Sequence, residues 1–255
     1  MKERKEKDAP QETEEMKNRT ETAPTVEKKI PHIKQRLRSH IVSMPKEIYA
    51  ASGIVIMGRR IKSLVFSTDI AIIRNCNADA VLAVYPFTPQ QIIADAIVSA
   101  SSLPVFCVVG GGTTTGPRVV MLAKDAEALG AMAVVVNAPT SNSVIKHIYS
   151  VVDIPIVVTV LSENTDIQAR LDAGTSILNV SAAGRTAEVV RKIREKFPDV
   201  PIIATGGPTT DSIRETVAAG ANAISFTPPT AAELFHGLMT RYRDAHDAEA
   251  PAAQN

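Results

Sequence analysis

Short apolar stretches alternate with amphipathic segments along most of the chain. Eight β-rich stretches recur, at Ser63–Asp69, Ala80–Pro86, Val105–Gly110, Ala133–Ala138, Ile156–Ser162, Ser176–Ser181, Ile202–Gly207 and Ala223–Thr227. Segments with helical spacing of apolar residues follow, for example Pro117–Leu129, Arg185–Phe197, Thr209–Ala219 and Ala231–Tyr242. Strands that alternate with helices in this way predict parallel βαβ units. Eight such units predict an α/β fold, a single (β/α)8 TIM barrel.

The starts of the strands repeat with a period of two units. The third, fifth and seventh strands follow Leu103-Pro104, Ile154-Pro155 and Val200-Pro201. The fourth, sixth and eighth follow Gly130-Ala131, Gly174-Thr175 and Gly220-Ala221, where a glycine ends the preceding helix. A repeat of one quarter of a barrel favours one closed domain over two separate ones.

The two faces of the predicted strands carry different side chains, because successive strand residues point in opposite directions. One parity holds the smaller or more polar groups: Ser67, Asp69, Ala83, Tyr85, Cys107, Asn137, Thr159, Asn179, Ser181, Thr205, Ser225 and Thr227. The other holds bulky apolar groups: Leu64, Phe66, Leu82, Val84, Phe106, Val108, Val136, Val158, Val160, Leu178, Ile202, Ile224 and Phe226. We expect the smaller set to face the lumen and the bulky set to face the helices.

The segments on either side of the barrel differ from it in composition. Residues 1–40 are rich in Lys, Glu, Thr and Pro, which predicts a disordered charged N-terminal extension. Residues 41–61 are expected to cap the bottom of the barrel, as a hairpin or a short helix around Gly58. The barrel itself is predicted over residues 62–244, and residues 245–255 are predicted to form a flexible tail.

The overall charge and cysteine content exclude several classes of protein. Lysine and arginine number 28 against 27 acidic residues, and the barrel has no basic block that would hold nucleic acid. Cys76 and Cys107 have no metal-ligand spacing and form no disulfide framework, which favours a reducing cytoplasm. No apolar run reaches the length of a membrane span. A homo-oligomer is compatible with the sequence.

The turn Thr205-Gly206-Gly207 after the seventh strand carries the most specific functional signal. Glycines that open a helix let backbone N–H groups approach a phosphate. Here the chain resembles the phosphate-binding (β/α)8 barrel superfamily, which includes ribulose-phosphate epimerases and thiamine-phosphate synthases. The resemblance implies a phosphate between Gly206, Gly207 and the turn that begins at Thr227. The alternative is that these glycines only make a tight left-handed turn.

The chain also resembles uncharacterised bacterial barrel proteins that are sometimes labelled hydrolases. That label implies no particular mechanism. No histidine lies at the end of a predicted strand, so serine-hydrolase or zinc chemistry lacks a base or ligand there. No lysine lies at a strand end either, which disfavours a Schiff-base aldolase.

The remaining polar residues at the strand ends suggest proton-transfer chemistry. Asp69 is the best candidate general base, and the alternative is that it caps the following helix. Glu163 is a second candidate carboxylate, although its surroundings also resemble a helix start. Asn137 and Asn179 are amides that could stabilise an oxyanion, or that only hydrogen-bond within the lumen.

Three further residues are candidate contacts for an anion. Arg185 begins a helix, where a cation is unfavourable unless an anion lies nearby. Gly111 and Gly112 belong to a glycine-rich loop that could cradle an anion or act as a lid. No cofactor is predicted; the alternative is a magnesium ion bound by Asp69 and Glu163.

These observations lead to two main hypotheses. The leading one is an enzyme, an isomerase, epimerase or lyase, that acts on a small phosphorylated or carboxylated metabolite at the carboxyl ends of the strands. The other is a regulatory barrel that binds a small anionic metabolite without catalysis, which the small number of catalytic side chains favours. A hydrolase of unknown substrate is a third alternative.

Overall fold

The computed structural model describes residues 30–33, 41–112 and 114–249. Contacts divide the chain into two units, residues 1–39 and residues 40–255, and the second contains the barrel. The predicted N-terminal extension lies outside the described residues, apart from residues 30–33. No helix within the described ranges is long and apolar enough to cross a lipid bilayer.

Eight parallel strands close into a barrel, which confirms the predicted fold. The chain forms the strands β1 (Ile54–Ile56), β2 (Arg59–Ile61), β3 (Ser63–Phe66), β4 (Ala80–Ala83), β5 (Val105–Gly110), β6 (Ala133–Val136), β7 (Ile156–Val160), β8 (Ile177–Val180), β9 (Ile202–Thr205) and β10 (Ala223–Phe226). The barrel order is β10-β3-β4-β5-β6-β7-β8-β9, and every neighbouring pair is parallel.

Helices follow each barrel strand. They are α1 (Ile70–Arg74), α2 (Gln91–Ala100), α3 (Pro117–Ala128), α4 (Asn142–Tyr149), α5 (Ile167–Asp172), α6 (Thr186–Lys196), α7 (Thr210–Ala218) and α8 (Ala231–Glu249). Two short 3-10 helices lie at Lys46–Ala50 and Ala183–Arg185. Helix α8 therefore extends into the segment predicted as the C-terminal tail.

Two apolar clusters show which strand residues face the lumen. One cluster joins side chains from all eight barrel strands, which only the barrel interior allows; it includes Leu64, Leu82 and Phe106. The other joins strand residues to helix residues and includes Cys107. The predicted parity is therefore right for β6 to β10 and wrong for β3 to β5. The prediction failed for β3 to β5 because it assigned the smaller side chains to the lumen. The lower lumen is instead a packed core, which large side chains fill.

A hairpin closes the bottom of the barrel. Strands β1 and β2 pair antiparallel, and the turn residues Met57 and Gly58 have φ angles of 49° and 75°. Positive φ at both central residues suits the right-handed twist of a two-residue hairpin. Ile54, Ile56 and Ile61 are buried in the lumen cluster. A ligand can therefore reach the lumen only from the opposite end, where the strands terminate.

The segment before the hairpin fills the wall between α7 and α1. Val42 forms a bridge with Cys76, and Met44 and Ile48 are buried in the outer cluster. The 3-10 helix Lys46–Ala50 packs on α7, where Glu47 pairs with Arg214 at 2.9 Å. This segment covers the strands where the last helix of a regular barrel would pack.

Cys107 offers a simple test of the corrected parity. Its side chain is buried in the layer between strands and helices, and burial raises the pKa of its thiol to about 12. We expect Cys107 to react with a thiol reagent at pH 8 only as fast as the protein unfolds. Mass spectrometry of the labelled protein measures that rate. Rapid labelling of Cys107 in the folded protein would contradict its assigned place.

Candidate functional site

The upper lumen is polar on one half of its circumference. Strands β6 to β10 are consecutive in the barrel and direct these polar side chains inward at or near their carboxyl ends: Asn137, Thr159, Asn179, Ser181, Thr205 and Ser225. The opposite half, on β3 and β4, presents Phe66 and Val84. A ligand in the mouth would therefore contact amides and hydroxyls on one side and apolar groups on the other.

Asn179 is the most deeply placed amide in this polar half. Its residue is only 7% exposed, and its Nδ2 donates to Thr159 Oγ1 at 3.3 Å. Its Oδ1 is buried and has no hydrogen-bond partner among the described residues. A buried polar atom without a partner is uncommon and calls for an explanation, such as an absent ligand. In this orientation Asn179 offers an acceptor, whereas the predicted oxyanion role needs a donor.

Asn137 fixes the glycine-rich loop after β5. Its backbone N–H donates to Gly110 O at 2.9 Å, and Gly111 N–H donates to Thr114 O at 2.9 Å. Gly111 has a φ of +97°, and a Cβ there would lie 2.5 Å from Asn137 Cβ. Gly112 has a φ of +67° and open space around it. The loop is thus packed against Asn137 at Gly111 and has open space at Gly112, and the predicted anion cradle stays a prediction.

Arg170 supports the loop that follows Asn137, a role that the sequence did not reveal. Its guanidinium donates to the carbonyls of Ala138 and Thr140 and to Asn142 Oδ1. Burial lowers the pKa of the Arg170 guanidinium. The partners are carbonyl oxygens and an amide of a neighbouring loop, which leave no spacing signal in the sequence.

Asp69 forms the N-cap of α1, as the alternative prediction proposed. Its Oδ1 accepts from the backbone N–H groups of Ala71 and Ile72 at 2.7 and 3.3 Å. Ser67 Oγ accepts from the Asp69 backbone N–H at 3.1 Å. The odd-numbered residues of β3 face the helices, so the prediction that placed Ser67 and Asp69 on the lumen parity is wrong. Both capping bonds use the same oxygen.

Glu163 and Arg185 neutralise each other at the rim of the mouth. Arg185 Nη2 lies 2.5 Å and Lys192 Nζ lies 3.0 Å from Glu163 Oε1, and both cations also contact Glu188. The Glu163 side chain is 21% exposed and Arg185 is exposed. Arg185 therefore has carboxylate partners already, so the prediction that it needs an external anion loses its main reason.

The same network gives Glu163 an unusually low pKa. A hydrogen bond from its own backbone N–H, together with Lys192 and Arg185, lowers the pKa of Glu163 from 4.5 to about 2. A carboxyl group with a depressed pKa stabilises the folded state fully above its ordinary pKa, and the contribution fades as the pH falls toward 2. Glu163 therefore stays ionised at neutral pH and is a weak general base.

Replacing Glu163 by Gln is expected to lower stability at pH 7 and to have little effect near pH 2. The reason is that the wild-type carboxylate becomes protonated as the pH approaches its folded-state pKa. Urea unfolding at pH 7, 4 and 2.5 measures the difference. Glu195→Gln, at an exposed carboxylate of α6, the helix that carries Lys192, is the control. An effect of E163Q that is equal at all three pH values would contradict the ion-pair explanation.

The glycine turn after β9 has the left-handed backbone that the alternative interpretation of these glycines proposed, and the predicted phosphate contact stays a prediction. Gly207 has a φ of +77°, and Gly206 is buried against Ile224 and Ile213. The following helix α7 begins with a capping box between Thr209 and Ser212. The backbone N–H groups of these two residues are therefore already hydrogen-bonded within the protein. Thr205 is half-buried at the end of β9, and Thr227 is exposed after β10.

The order of the strands decides which predicted residues lie together. Arg185 and the turn Gly206-Gly207 follow the neighbouring strands β8 and β9. Asp69 and Glu163 follow β3 and β7, which are four strands apart in a ring of eight and so lie on opposite walls. No group of three or more His, Cys, Asp or Glu side chains in the described part of the chain is arranged to hold a metal ion.

Solved structures share the barrel fold with this chain. No family model and no curated protein matches the sequence. Phosphonopyruvate hydrolase complexed with oxalate and Mg²⁺ is 14% identical, with a TM-score of 0.54, over 78% of this chain and 88% of that one. Mandelate oxidase is 15% identical, with a TM-score of 0.56, over 69% and 68%. 2,3-Dimethylmalate lyase, a PEP mutase/isocitrate lyase superfamily member, is 14% identical, with a TM-score of 0.53, over 81% and 86%.

These comparisons establish the fold and correct two expectations. At 14–15% identity the three barrels show a shared fold only, and none of them is a ribulose-phosphate barrel, so the finer resemblance to that superfamily is not supported. The expectation of a site without a cofactor is contradicted by phosphonopyruvate hydrolase, which holds Mg²⁺. The alternative pair Asp69 and Glu163 does not fit such an ion either, because one carboxylate caps a helix, the other is ion-paired, and the two lie on opposite walls.

Proposed function

We propose that this chain is an enzyme that moves a proton on a small carboxylated or phosphorylated metabolite bound in the mouth of the barrel. The observation that carries the proposal is the divided upper lumen. Amides and hydroxyls line one half, including the unpartnered Oδ1 of Asn179, and Phe66 and Val84 line the other. Concave sites with a few convergent polar groups beside apolar ones are typical of small-molecule pockets.

The polar half determines how such a ligand would be oriented. A hydroxyl or other donor of the ligand would satisfy Asn179 Oδ1, while its carbon skeleton would contact Phe66. Its anionic group would lie toward Gly206 and Gly207, near the N–H groups at the start of α7. Arg185 follows the neighbouring strand and would approach that anion if it left Glu163.

We propose that Asp69 moves the proton, although it does not lie on the lumen face of β3. It is half-buried in the turn between the carboxyl end of β3 and α1, so the turn and not the strand places it at the edge of the mouth. Its capping bonds both use Oδ1, so Oδ2 is not needed for the cap. Glu163 is less suitable because its pKa of about 2 makes it a weak base. Oxalate and dimethylmalate, named with two of the similar barrels, are carboxylates, which supports a carboxylate over a phosphate ester.

A regulatory barrel that binds the same ligand without catalysis is the second candidate. This candidate is favoured because both carboxylates near the mouth already have partners and are less free to act as a base. Asp69 caps α1, and Glu163 is paired with two cations. In that case Asn179 would still bind the ligand, and Asp69 would contribute only to stability.

Isotope exchange separates these two candidates. The protein is incubated in D₂O with a panel of short hydroxy acids, keto acids and sugar phosphates, and NMR follows the loss of C–H signals next to the acid or carbonyl group. An enzyme is expected to replace the C–H hydrogen of one class of ligand by deuterium. The Asp69→Asn variant should lose this exchange and still bind the ligand. Binding without exchange would identify the regulatory barrel. If no member of the panel raises the melting temperature at millimolar concentration, the proposal fails.

A further inference from the structure

A cleft opens at the rim of the barrel, between the loop after β6 and the loop after β7. It has a volume of about 440 Å³, and its lining includes Thr140, Ser141 and Asn142 of the first loop and Asp166 and Arg170 at the start of α5. None of the polar side chains of the upper lumen lines it, so the cleft is separate from the mouth.

Arg170 gives this cleft a positive charge that the protein does not neutralise. Three of its five N–H groups are donated, and the acceptors are all neutral: the carbonyls of Ala138 and Thr140 and Oδ1 of Asn142. Among the described residues, no carboxylate forms an ion pair with it. Burial lowers the pKa of the guanidinium, and no neighbouring charge offsets that effect. A half-buried guanidinium with N–H groups to spare favours a carboxylate, whose geometry matches its planar donors.

The loop before α4 adds two features that suit the same anion. Thr140 is only 3% exposed, and its Oγ1 has no hydrogen-bond partner in the part of the chain that the structure describes. A buried hydroxyl without a partner is uncommon and calls for an explanation. Helix α4 begins at Asn142, and its cap Ser141 accepts only from Val144 N–H, at 3.4 Å. The first N–H groups of α4 therefore remain available to an anion in the cleft.

Asp166 gives the same cleft a negative charge, one helical turn before Arg170. Residues four apart on a helix can pair, but these two do not, because Arg170 is directed to the loop after β6. The Oδ1 of Asp166 accepts from Ala169 N–H at 3.0 Å and caps α5, and no described residue donates to its Oδ2. Two opposite charges thus line one cleft without neutralising each other.

Separated charges of this kind fit a zwitterion better than a simple anion. A dianionic phosphate would be attracted by Arg170 and repelled by Asp166, whereas an ammonium group would be attracted by Asp166. We propose that the cleft binds a free α-amino acid, with its carboxylate on Arg170 and the start of α4 and its ammonium group at Asp166. The ligand would then contact the loop that begins at the mouth residue Asn137.

Calorimetric titration of the full chain with free L-amino acids tests this proposal. Each amino acid is compared with the carboxylate that lacks its amino group, for example L-alanine with propionate, and with inorganic phosphate. At least one amino acid is expected to bind, and its partner without the amino group to bind at least about 10-fold more weakly, as the loss of a charge-assisted hydrogen bond implies. The proposal fails if no amino acid binds at millimolar concentration, or if propionate or phosphate binds as tightly.

Substitutions in α5 and its cap test the two charges separately. Asp166→Asn removes the negative charge and keeps a side chain that can cap the helix. It should raise the dissociation constant of the amino acid at least about 10-fold and leave that of propionate no higher. Asp172→Asn, at an exposed carboxylate of α5 outside the cleft, is the matched control and should change neither. Arg170→Lys should weaken both ligands, and the melting temperature verifies that each variant folds.

Asn179→Ala distinguishes this cleft from the mouth. Asn179 lies in the lumen, so its substitution should leave the affinity for the amino acid unchanged. Loss of binding in N179A would place the amino acid in the mouth and overturn the proposal, as would unchanged binding in both D166N and R170K. The proposal does not depend on a reaction in the mouth, because the titration measures binding and the isotope experiment measures exchange.

Discussion

Gly111→Ala is expected to destabilise the protein by roughly 4 kcal/mol. A Cβ at this position would lie 2.5 Å from Asn137 Cβ and 2.8 Å from its backbone N, so the backbone itself would have to move. The φ of +97° adds a penalty of about 1–2 kcal/mol for any L side chain. A loss of more than about 4 kcal/mol of unfolding free energy is rare for a single substitution, and steric conflict in a packed site is one of its causes. Urea unfolding monitored by circular dichroism gives the change in unfolding free energy.

Gly112→Ala is the matched control for the neighbouring position. Its φ of +67° carries a similar backbone penalty, but nothing lies within 4 Å of the added Cβ. We expect a loss of about 1 kcal/mol. Equal losses in the two variants would show that Gly111 does not pack against Asn137 as described.

Arg194→Met is expected to cost roughly 3–4 kcal/mol, because it leaves several carbonyl groups without their donor. The guanidinium joins the end of α6 to the start of β9 through Pro198 O at 2.5 Å and Val200 O at 2.8 Å. It also reaches Gly220 O at 2.8 Å and Asn222 Oδ1 at 2.9 Å, before β10. Methionine keeps much of the apolar stem of arginine. The decrease in unfolding free energy measured in urea therefore reports the loss of the hydrogen bonds.

Arg191→Met on the same helix provides the comparison for this substitution. Arg191 is exposed, and exposed substitutions usually change stability by less than about 0.5 kcal/mol. A loss in R194M no larger than that in R191M would contradict the role of Arg194 as a link between these loops.

The barrel was predictable because its signals are local and repeated. Each strand is a short apolar run, and a proline or glycine marks the boundary before each of the third to eighth strands. The inward face was not predictable for β3 to β5, because both faces of these strands are apolar. Leu64 and Val65, for instance, are equally buried in different clusters, and only closure of the ring assigns them.

The candidate site was predictable in its residue types but not in its contacts. The sequence placed Asn137 and Asn179 at strand ends, where the structure has them. It could not show that Thr159 takes the Asn179 donor, that Arg170 braces the loop after Asn137, or that Lys192 reaches Glu163. These partners are 20 to 32 residues apart in sequence and have no fixed spacing, so they follow only from the packed fold.

The division of the upper lumen has a stereochemical consequence. In the proposed orientation a flat ligand is held at three points: its donor on Asn179, its carbon skeleton on Phe66, and its anionic group at the turn Gly206-Gly207. It therefore cannot turn over without losing at least one of these contacts. Each of its two prochiral faces would then always meet the same wall. A proton delivered from one wall would consequently yield a single enantiomer.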